Sequence, residues 1–308
     1  MKFKTLAIAI AAATVSTAAM ADGHMGAPEL KISGDVTVGY FDNGTTTFFG
    51  GNGSEVIFNA EQKVGGITYF GSITANFDDS AMNNAITGNG NEVLTVPDDL
   101  GGSITTDDQY VGFRGAFGEV RMGDTDNGCD AVDEGWVVDD EFISHKSGGC
   151  AAGDQNNITY KGSRGPVSYA VSYSPDVNYG GTTANEDTVA VGVAGKIGPA
   201  AVSLGYETSA SGQDNTVLGV AGNFGPVAAG IRTSKVEGGD TNVGYTAQYS
   251  AGGNKFYVGY GDVNDNANTT FVGYQRTIGS NTTFIAEYLN TDATGVEDKY
   301  AVALRHAF

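Results

Sequence analysis

Side chains in this chain change character at every second residue, through one segment of eight to eleven residues after another, and that period limits what it can fold into. In the final segment, 298–308, Tyr300, Val302, Leu304, His306 and Phe308 alternate with Lys299, Ala301, Ala303, Arg305 and Ala307. Successive side chains of a strand point to opposite faces of its sheet, so one face is bulky and the other small or charged. Leu30, Ile32, Val36, Val38 and Tyr40 oppose Lys31, Ser33, Asp35 and Thr37 in the same way. Val202, Leu204 and Tyr206 oppose Ser203, Gly205 and Glu207, and Phe256, Val258 and Tyr260 oppose Lys255, Tyr257 and Gly259. No segment carries the period of an amphipathic helix, and the fold class is all-β.

The alternation predicts sixteen strands: 30–41, 55–64, 67–77, 108–115, 119–123, 156–161, 167–173, 187–196, 200–208, 215–224, 227–234, 241–249, 254–261, 269–277, 281–290 and 298–308. Even-numbered gaps are tight and odd-numbered gaps are mostly long, so long loops and short turns fall at opposite ends of one sheet. In a soluble sandwich the apolar face would form the core. Here almost every segment has the pattern, and strands of this length also match a tilted crossing of a hydrocarbon layer. The expected architecture is therefore an antiparallel transmembrane barrel, apolar outside and polar inside. It must close, because an open edge would leave unpaired backbone groups in lipid. Aromatics near the long-loop ends (Tyr40, Phe41, Phe77, Tyr173, Tyr206, Tyr249, Tyr260, Tyr288, Tyr300) and near the short turns (Phe117, Phe224, Phe308) fit two interfacial belts. A secreted β-rich adhesin or lectin without a pore is the rival reading.

The N-terminus has the build of an export signal: Lys2 and Lys4, an apolar stretch over 6–15, and Ala19-Met20-Ala21 as a cleavage site. Residues 1–21 are assigned to the signal peptide and 22–308 to one barrel domain. The formal charge of −20 becomes −22 once the two signal lysines are removed. Binders of nucleic acid need a basic face, so nucleic acid is excluded as a partner. Docking onto anionic lipid heads is disfavoured for the same reason.

Residues 124–155 form a long acidic segment holding the only tryptophan, Trp136, and the only cysteines, Cys129 and Cys150. Two cysteines in an exported chain most simply form one disulfide, with free thiols or an intermolecular bridge as the alternatives. Closing this loop would stabilise by roughly 3 kcal/mol on the chain-entropy model. Zinc is disfavoured, since there is no Cys-x-x-Cys and His145 is the only nearby imidazole. Asp124, Asp126 and Asp130 are spaced like calcium ligands, although Gly128 comes one place early and no Glu closes the loop. A structural Ca²⁺ is the one cofactor this pattern offers. Ser144 beside His145 supplies no third group to orient a nucleophile and base, so no enzyme is read here.

Four short motifs resemble a general porin of the Gram-negative outer membrane. They are Ser33-Gly34-Asp35 through Gly39-Tyr40; Val111-Gly112-Phe113 leading into Gly115-Ala116-Phe117-Gly118-Glu119-Val120-Arg121-Met122-Gly123-Asp124; Asn156-Asn157-Ile158-Thr159-Tyr160; and the terminal Val302-Ala303-Leu304-Arg305-His306-Ala307-Phe308. The resemblance implies a sixteen-stranded, usually trimeric barrel for passive diffusion of small hydrophilic solutes and ions. It implies short periplasmic turns, long extracellular loops, and a third long loop, 124–155, folded into the pore. Phe308 resembles the signal read by the barrel assembly machinery, and outer-membrane lipid is the implied surrounding. Porin constrictions set loop carboxylates against wall bases. The acidic side is assigned to Asp124, Asp126, Asp130, Asp133, Glu134, Asp139, Asp140 and Glu141. By alternation the inward bases are Lys31, Lys63, Arg121, Lys161, Arg232, Lys255, Lys299 and Arg305, with Asp35, Glu55, Glu61, Glu207 and Glu287 on the same side. Arg114 and the small residues Gly34, Gly71, Ala75 and Gly112 are expected to face out. Many relatives carry a base where Asp124 follows Gly123, and the acidic excess points to cation preference.

Overall fold

The protein is seen here in a computed structural model, which describes residues 28–42, 47–51, 53–79, 94–95, 102–138, 142, 149–150, 155–175, 187–208, 214–262, 268–292 and 297–308. Sixteen antiparallel strands follow one another around a closed sheet. They are β1 (Glu29–Asp42), β2 (Ser54–Val64, prolonged by an arm at Thr47–Gly51), β3 (Ile67–Asp79), β4 (Gly102–Gly115), β5 (Gly118–Thr125), β6 (Gln155–Arg164), β7 (Val167–Ser174) and β8 (Thr188–Ile197). The second half continues with β9 (Ala200–Glu207), β10 (Asn215–Phe224), β11 (Val227–Val236), β12 (Thr241–Ala251), β13 (Asn254–Asp262), β14 (Thr269–Ile278), β15 (Thr282–Thr291) and β16 (Lys299–Ala307). Each pairs with the next in sequence, and β1 closes the ring against β16 from Asp35↔Ala307 to Asp42↔Tyr300. Gly34 and Phe308 exchange two backbone hydrogen bonds, of 2.9 and 3.3 Å, which fasten the C-terminus to the first strand.

The alternation reads as expected, with its faces reversed relative to a soluble sheet. Val36 and Leu304 are 52% and 50% exposed in the outer rows, while Thr37 and Thr159 are fully buried in the inner ones. A belt of bare Val, Leu, Ile and Tyr around a ring without edges suits hydrocarbon and not water. This architecture displaces the soluble-sandwich reading. The short turns carry glycines with positive φ, such as Gly65 at 60° and Gly225 at 66°, a conformation that costs other residues strain.

Several expectations change. β4 begins at Gly102 rather than at residue 108, and its register against β3 shifts between Ile73 and Ala75. Such a bulge breaks the period-two pattern, which is why the start of β4 was hidden. Gly112 pairs with Phe70 and Arg121, so it and Arg114 lie in the inner row and not the outer. Small residues occupy both faces of this sheet and do not report the side. Gly112 is small because the Phe70 ring lies across it, where a Cβ would come within 2.6 Å. Gly34, Gly71 and Ala75 keep the outer row through their pairing with Val56 and Val111. Phe41 is buried inside the barrel, and Tyr249 sits beside the short turn at Gly252 and Gly253.

Candidate functional site: the internal loop and the wall it faces

After β5 the chain turns into the barrel. The Asn127 side-chain oxygen accepts from the Cys129 and Asp130 N–H groups, at 2.7 and 3.0 Å, and its amide donates to the buried Glu207 carboxylate at 3.1 Å. This Asx turn leads into a short 3-10 turn, Asp130–Val132. Gly128 N–H donates to Ser172 Oγ at 2.8 Å. Cys129 and Cys150 form the expected disulfide, which ties the outgoing limb of the loop to the returning one.

The loop then lies directly on the inner wall, and glycines make that possible. A Cβ added to Gly192 would sit 2.2 Å from Val132 Cγ2, one on Gly205 2.4 Å from Cys129 Sγ, and one on Gly219 1.8 Å from the Glu134 carbonyl oxygen. Gly230 is likewise 2.3 Å from the Gly135 carbonyl oxygen by the same construction. These four glycines sit on β8, β9, β10 and β11, so the loop backbone crosses the wall strand by strand along a shelf without side chains. Wall hydroxyls hold it from below. Ser203 Oγ accepts from Glu134 N–H at 2.9 Å, and Thr246 Oγ1 from Val137 N–H at 3.1 Å.

Beyond the shelf the attachment becomes apolar. Val138 packs with Phe41, Tyr257, Phe271, Leu289, Ala301 and Ala303, and Trp136, Val137 and Phe142 close over them. Phe142 meets Phe41 edge-on at 5.2 Å and donates its N–H to Glu287 at 2.9 Å. Glu287 also accepts a hydrogen bond from Tyr257. The strands fit here by exchange: the Tyr257 ring covers Gly273 and the Phe271 ring covers Gly259, across register pairs of β13 and β14. Cross-strand aromatics over glycine recover packing that glycine alone forfeits.

The acidic candidates divide. Asp126 contacts Lys161 at 3.0 Å, and Asp133 contacts Arg232 at 2.5 Å. Asp130 opens the 3-10 turn and Glu134 lies on the shelf. Asp124 pairs with Gln109 and Asn156, in the row of Met122, Val111 and Ile158, and so belongs to the outer side. The glycine before it and the acidic residues after it concealed that change of row. Asp139, Asp140, Glu141, Ser144 and His145 fall outside the described residues. Asp124, Asp126 and Asp130 do not converge on a common point, and the Asx turn occupies the stretch read as a calcium loop.

The arginines of the inner wall, and Lys161, meet carboxylates. Arg121 is 2.6 Å from Glu119, Arg114 is 2.6 Å from Glu61, and Arg305 is 3.6 Å from Asp35. Arg114 also covers the Phe70 ring, and Arg121 the Tyr110 ring at 4.7 Å. Arg232 is nine-tenths buried with Asp133, stacks over Trp136 at 5.1 Å, and would touch a Cβ at Gly149. It therefore rivets both limbs of the loop and does not line open water. Lys31, Lys63, Lys255 and Lys299 lie near strand ends, without an ion pair among the described residues. At the outer rim, hydrogen bonds from Tyr288 and from Asn290 (2.7 Å) hold Asp298 below the usual carboxylate range.

Sequence alternation missed the inner aromatics Phe41, Phe70 and Tyr110. The mispaired size of each with its strand neighbours was the only signal. It also missed the glycine shelf, which in the sequence is only one inner-row glycine in each of four successive strands, Gly192, Gly205, Gly219 and Gly230.

A family model described as Gram-negative porin matches residues 6–296. No curated protein matches the chain in sequence. Among solved structures the fold is shared with OmpF of Salmonella typhi in complex with daunomycin, at 14% identity and TM-score 0.70, covering 91% of this chain and 97% of that one. It is shared with an anion-selective porin from Comamonas acidovorans, at 18% identity and TM-score 0.63, covering 91% and 100%. The trimer form of OmpT, an outer membrane protein of Vibrio cholerae, matches at 14% identity and TM-score 0.67, covering 92% and 100%. With a closed sixteen-stranded barrel, an apolar outer belt and a loop folded inside, the chain belongs to the Gram-negative porin family and is an outer-membrane channel for passive diffusion.

Proposed function

We propose that this channel passes small hydrophilic solutes with a preference for cations, as a homotrimer set in outer-membrane lipid by the barrel assembly machinery after cleavage of residues 1–21. The observation that carries the cation preference is the pairing of the wall. Four of its eight candidate bases, counting Arg232, are matched by carboxylates, while the whole chain carries 36 acids against 16 bases. Arg121, Lys161, Arg232 and Arg305 are the matched candidates, and Arg114 joins them from outside the original set. A base held by a carboxylate contributes little net positive potential at the neck, so the overall acidic excess sets the sign.

The fold itself does not choose that sign, since an anion-selective porin has the same architecture. Side chains must. The acidic side of the neck is assigned to Asp126, Asp130 and Glu134 on the loop. Asp139, Asp140 and Glu141 are proposed to extend the acidic side. The trimer reading is supported by the fold shared with the trimer form of OmpT. No step of this function requires a bound ion.

Reversal potential in a KCl gradient tests the proposal. With the concentrated side as reference, a sign showing faster potassium passage is expected. A chloride-selective sign would overturn the assignment. Chemical cross-linking of detergent-extracted protein should give a three-subunit ceiling, and a single-subunit ceiling would remove the trimer.

A further inference from the structure

The charges of this barrel are sorted along its axis. Of the thirteen basic residues the structure describes, ten lie within three residues of a strand's short-turn end. All the candidate wall bases except Arg232 and Lys299 are among them, and Arg114 and Lys196 join the same inner rows. Only three acids, Glu29, Glu61 and Glu119, fall within the same limits. At the long-loop ends the balance inverts. Glu55 and Glu207 stand in the inner rows there, Asp42, Asp187, Asp214, Asp262 and Asp298 ring the rim in line with the outer rows, and the described bases are Lys235 and Lys299 alone. In a porin the long loops face the outside and the short turns the periplasm. An acidic extracellular mouth thus stands in series with a basic inner vestibule, and the loop neck lies between them.

We propose that this series arrangement makes the channel a rectifier, carrying more current when the extracellular side is positive than when it is negative. The inference rests on the channel reading above but not on which ion is preferred overall. Fixed charge in a low-dielectric cleft concentrates its counter-ions. Cations therefore gather in the outer half and anions in the inner half. When the outside is positive, the field drives cations inward from their store and anions outward from theirs. Both arrive at the neck, where the carrier concentration and the conductance rise. The opposite polarity draws both stores away and depletes the neck. The effect needs a screening length comparable with the vestibule, about 10 Å at 0.1 M salt, and fades when it shrinks to about 3 Å at 1 M.

The same polarity assigns a solute class to each mouth. Cationic solutes are concentrated at the extracellular opening, and anionic ones at the periplasmic opening. Inward flux of small cations and outward flux of small anions are the two favoured traffics.

The test is current–voltage recording on single channels of one known orientation, in equal KCl on both sides. Orientation is established by a biotin-acceptor tag inserted between Gly180 and Gly181, blocked by streptavidin from one chamber. In about 0.1 M KCl the current with the outside at about +100 mV is expected to be about two-fold that at −100 mV, falling to near parity at about 1 M. A symmetric curve at low salt, or rectification of opposite polarity, overturns the proposal. The combined variant Lys63→Glu, Lys196→Glu, Lys255→Glu converts three inner bases that have no ion pair among the described residues. Its current ratio should fall to about one at low salt. A ratio kept at the wild-type value would overturn the proposal, and the wild-type salt series decides the matter alone if the variant fails to assemble. A reversal potential measured on the same channels separates the two claims: a chloride-selective sign with rectification intact removes cation preference and leaves this inference standing.

Discussion

Arg232 shows how far a side chain's role depends on what surrounds it. Alternation puts it on the inner face, and the structure buries it between Asp133, Trp136 and Gly149. Removing one partner of a buried pair strands the other charge, at a cost of about 3–5 kcal/mol. Arg232→Ala is therefore expected to lower the urea midpoint of the folded barrel markedly while leaving the sign of ion selectivity unchanged. Arg121→Ala, by contrast, leaves Glu119 with Arg114 alone, at 4.0 Å, and should increase cation preference with little loss of stability, because the pair is partly exposed. An unchanged midpoint for Arg232→Ala would mean that water reaches the pair. Gly219 gives the second test at this scale. A side chain there collides with the Glu134 carbonyl oxygen, so Gly219→Val should cost about 1–3 kcal/mol and shift single-channel conductance as the loop lifts from the shelf. Wild-type conductance in that variant would show that the loop does not rest on β10.

At the scale of elements, the strands were the most legible part of the chain. Their period, lengths and turn residues all express one constraint, a side chain that meets hydrocarbon on one face and water on the other. The exceptions have local causes. The β3–β4 bulge interrupts the period, so the start of β4 and the row of Arg114 could not be read from spacing. The loop was legible as a long acidic segment with a disulfide, yet its path was not. That path depends on absent side chains at Gly192, Gly205, Gly219 and Gly230, and on aromatics that point inward against the composition of their rows. Pairing each carboxylate with its base also required positions far apart in sequence, such as Arg232 with Asp133. The Cys129–Cys150 bond holds this element together by closing its two limbs. The double variant Cys129→Ser, Cys150→Ser should lose roughly 3 kcal/mol of stability on the chain-entropy model, and its open-channel current should become noisier as the loop limbs separate. Equal stability and equal noise would show that the shelf and the apolar cluster hold the loop unaided.

For the whole molecule, the barrel places two unlike surfaces back to back across a single layer of backbone. The outer one is exposed Val, Leu, Ile and Tyr; the inner one is threonine, serine, paired charge and a loop. Closure of β1 on β16 leaves no free edge, which is what allows such a sheet to stand in lipid. The acidic surplus then tunes what passes, and its sorting along the axis sets the direction in which it passes more readily. All of this requires the outer rows to touch hydrocarbon and the inner rows to touch water. Labels at single cysteines on neighbouring strands test that directly, in liposomes, on Phe256→Cys and Val258→Cys from the outer row of β13 and on Lys255→Cys and Gln248→Cys from the inner rows of β13 and β12. A lipid-dissolved quencher is expected to reach the first two and a water-soluble thiol reagent the last two. Quenching from lipid at Lys255 and Gln248, with aqueous labelling at Phe256 and Val258, would contradict the account.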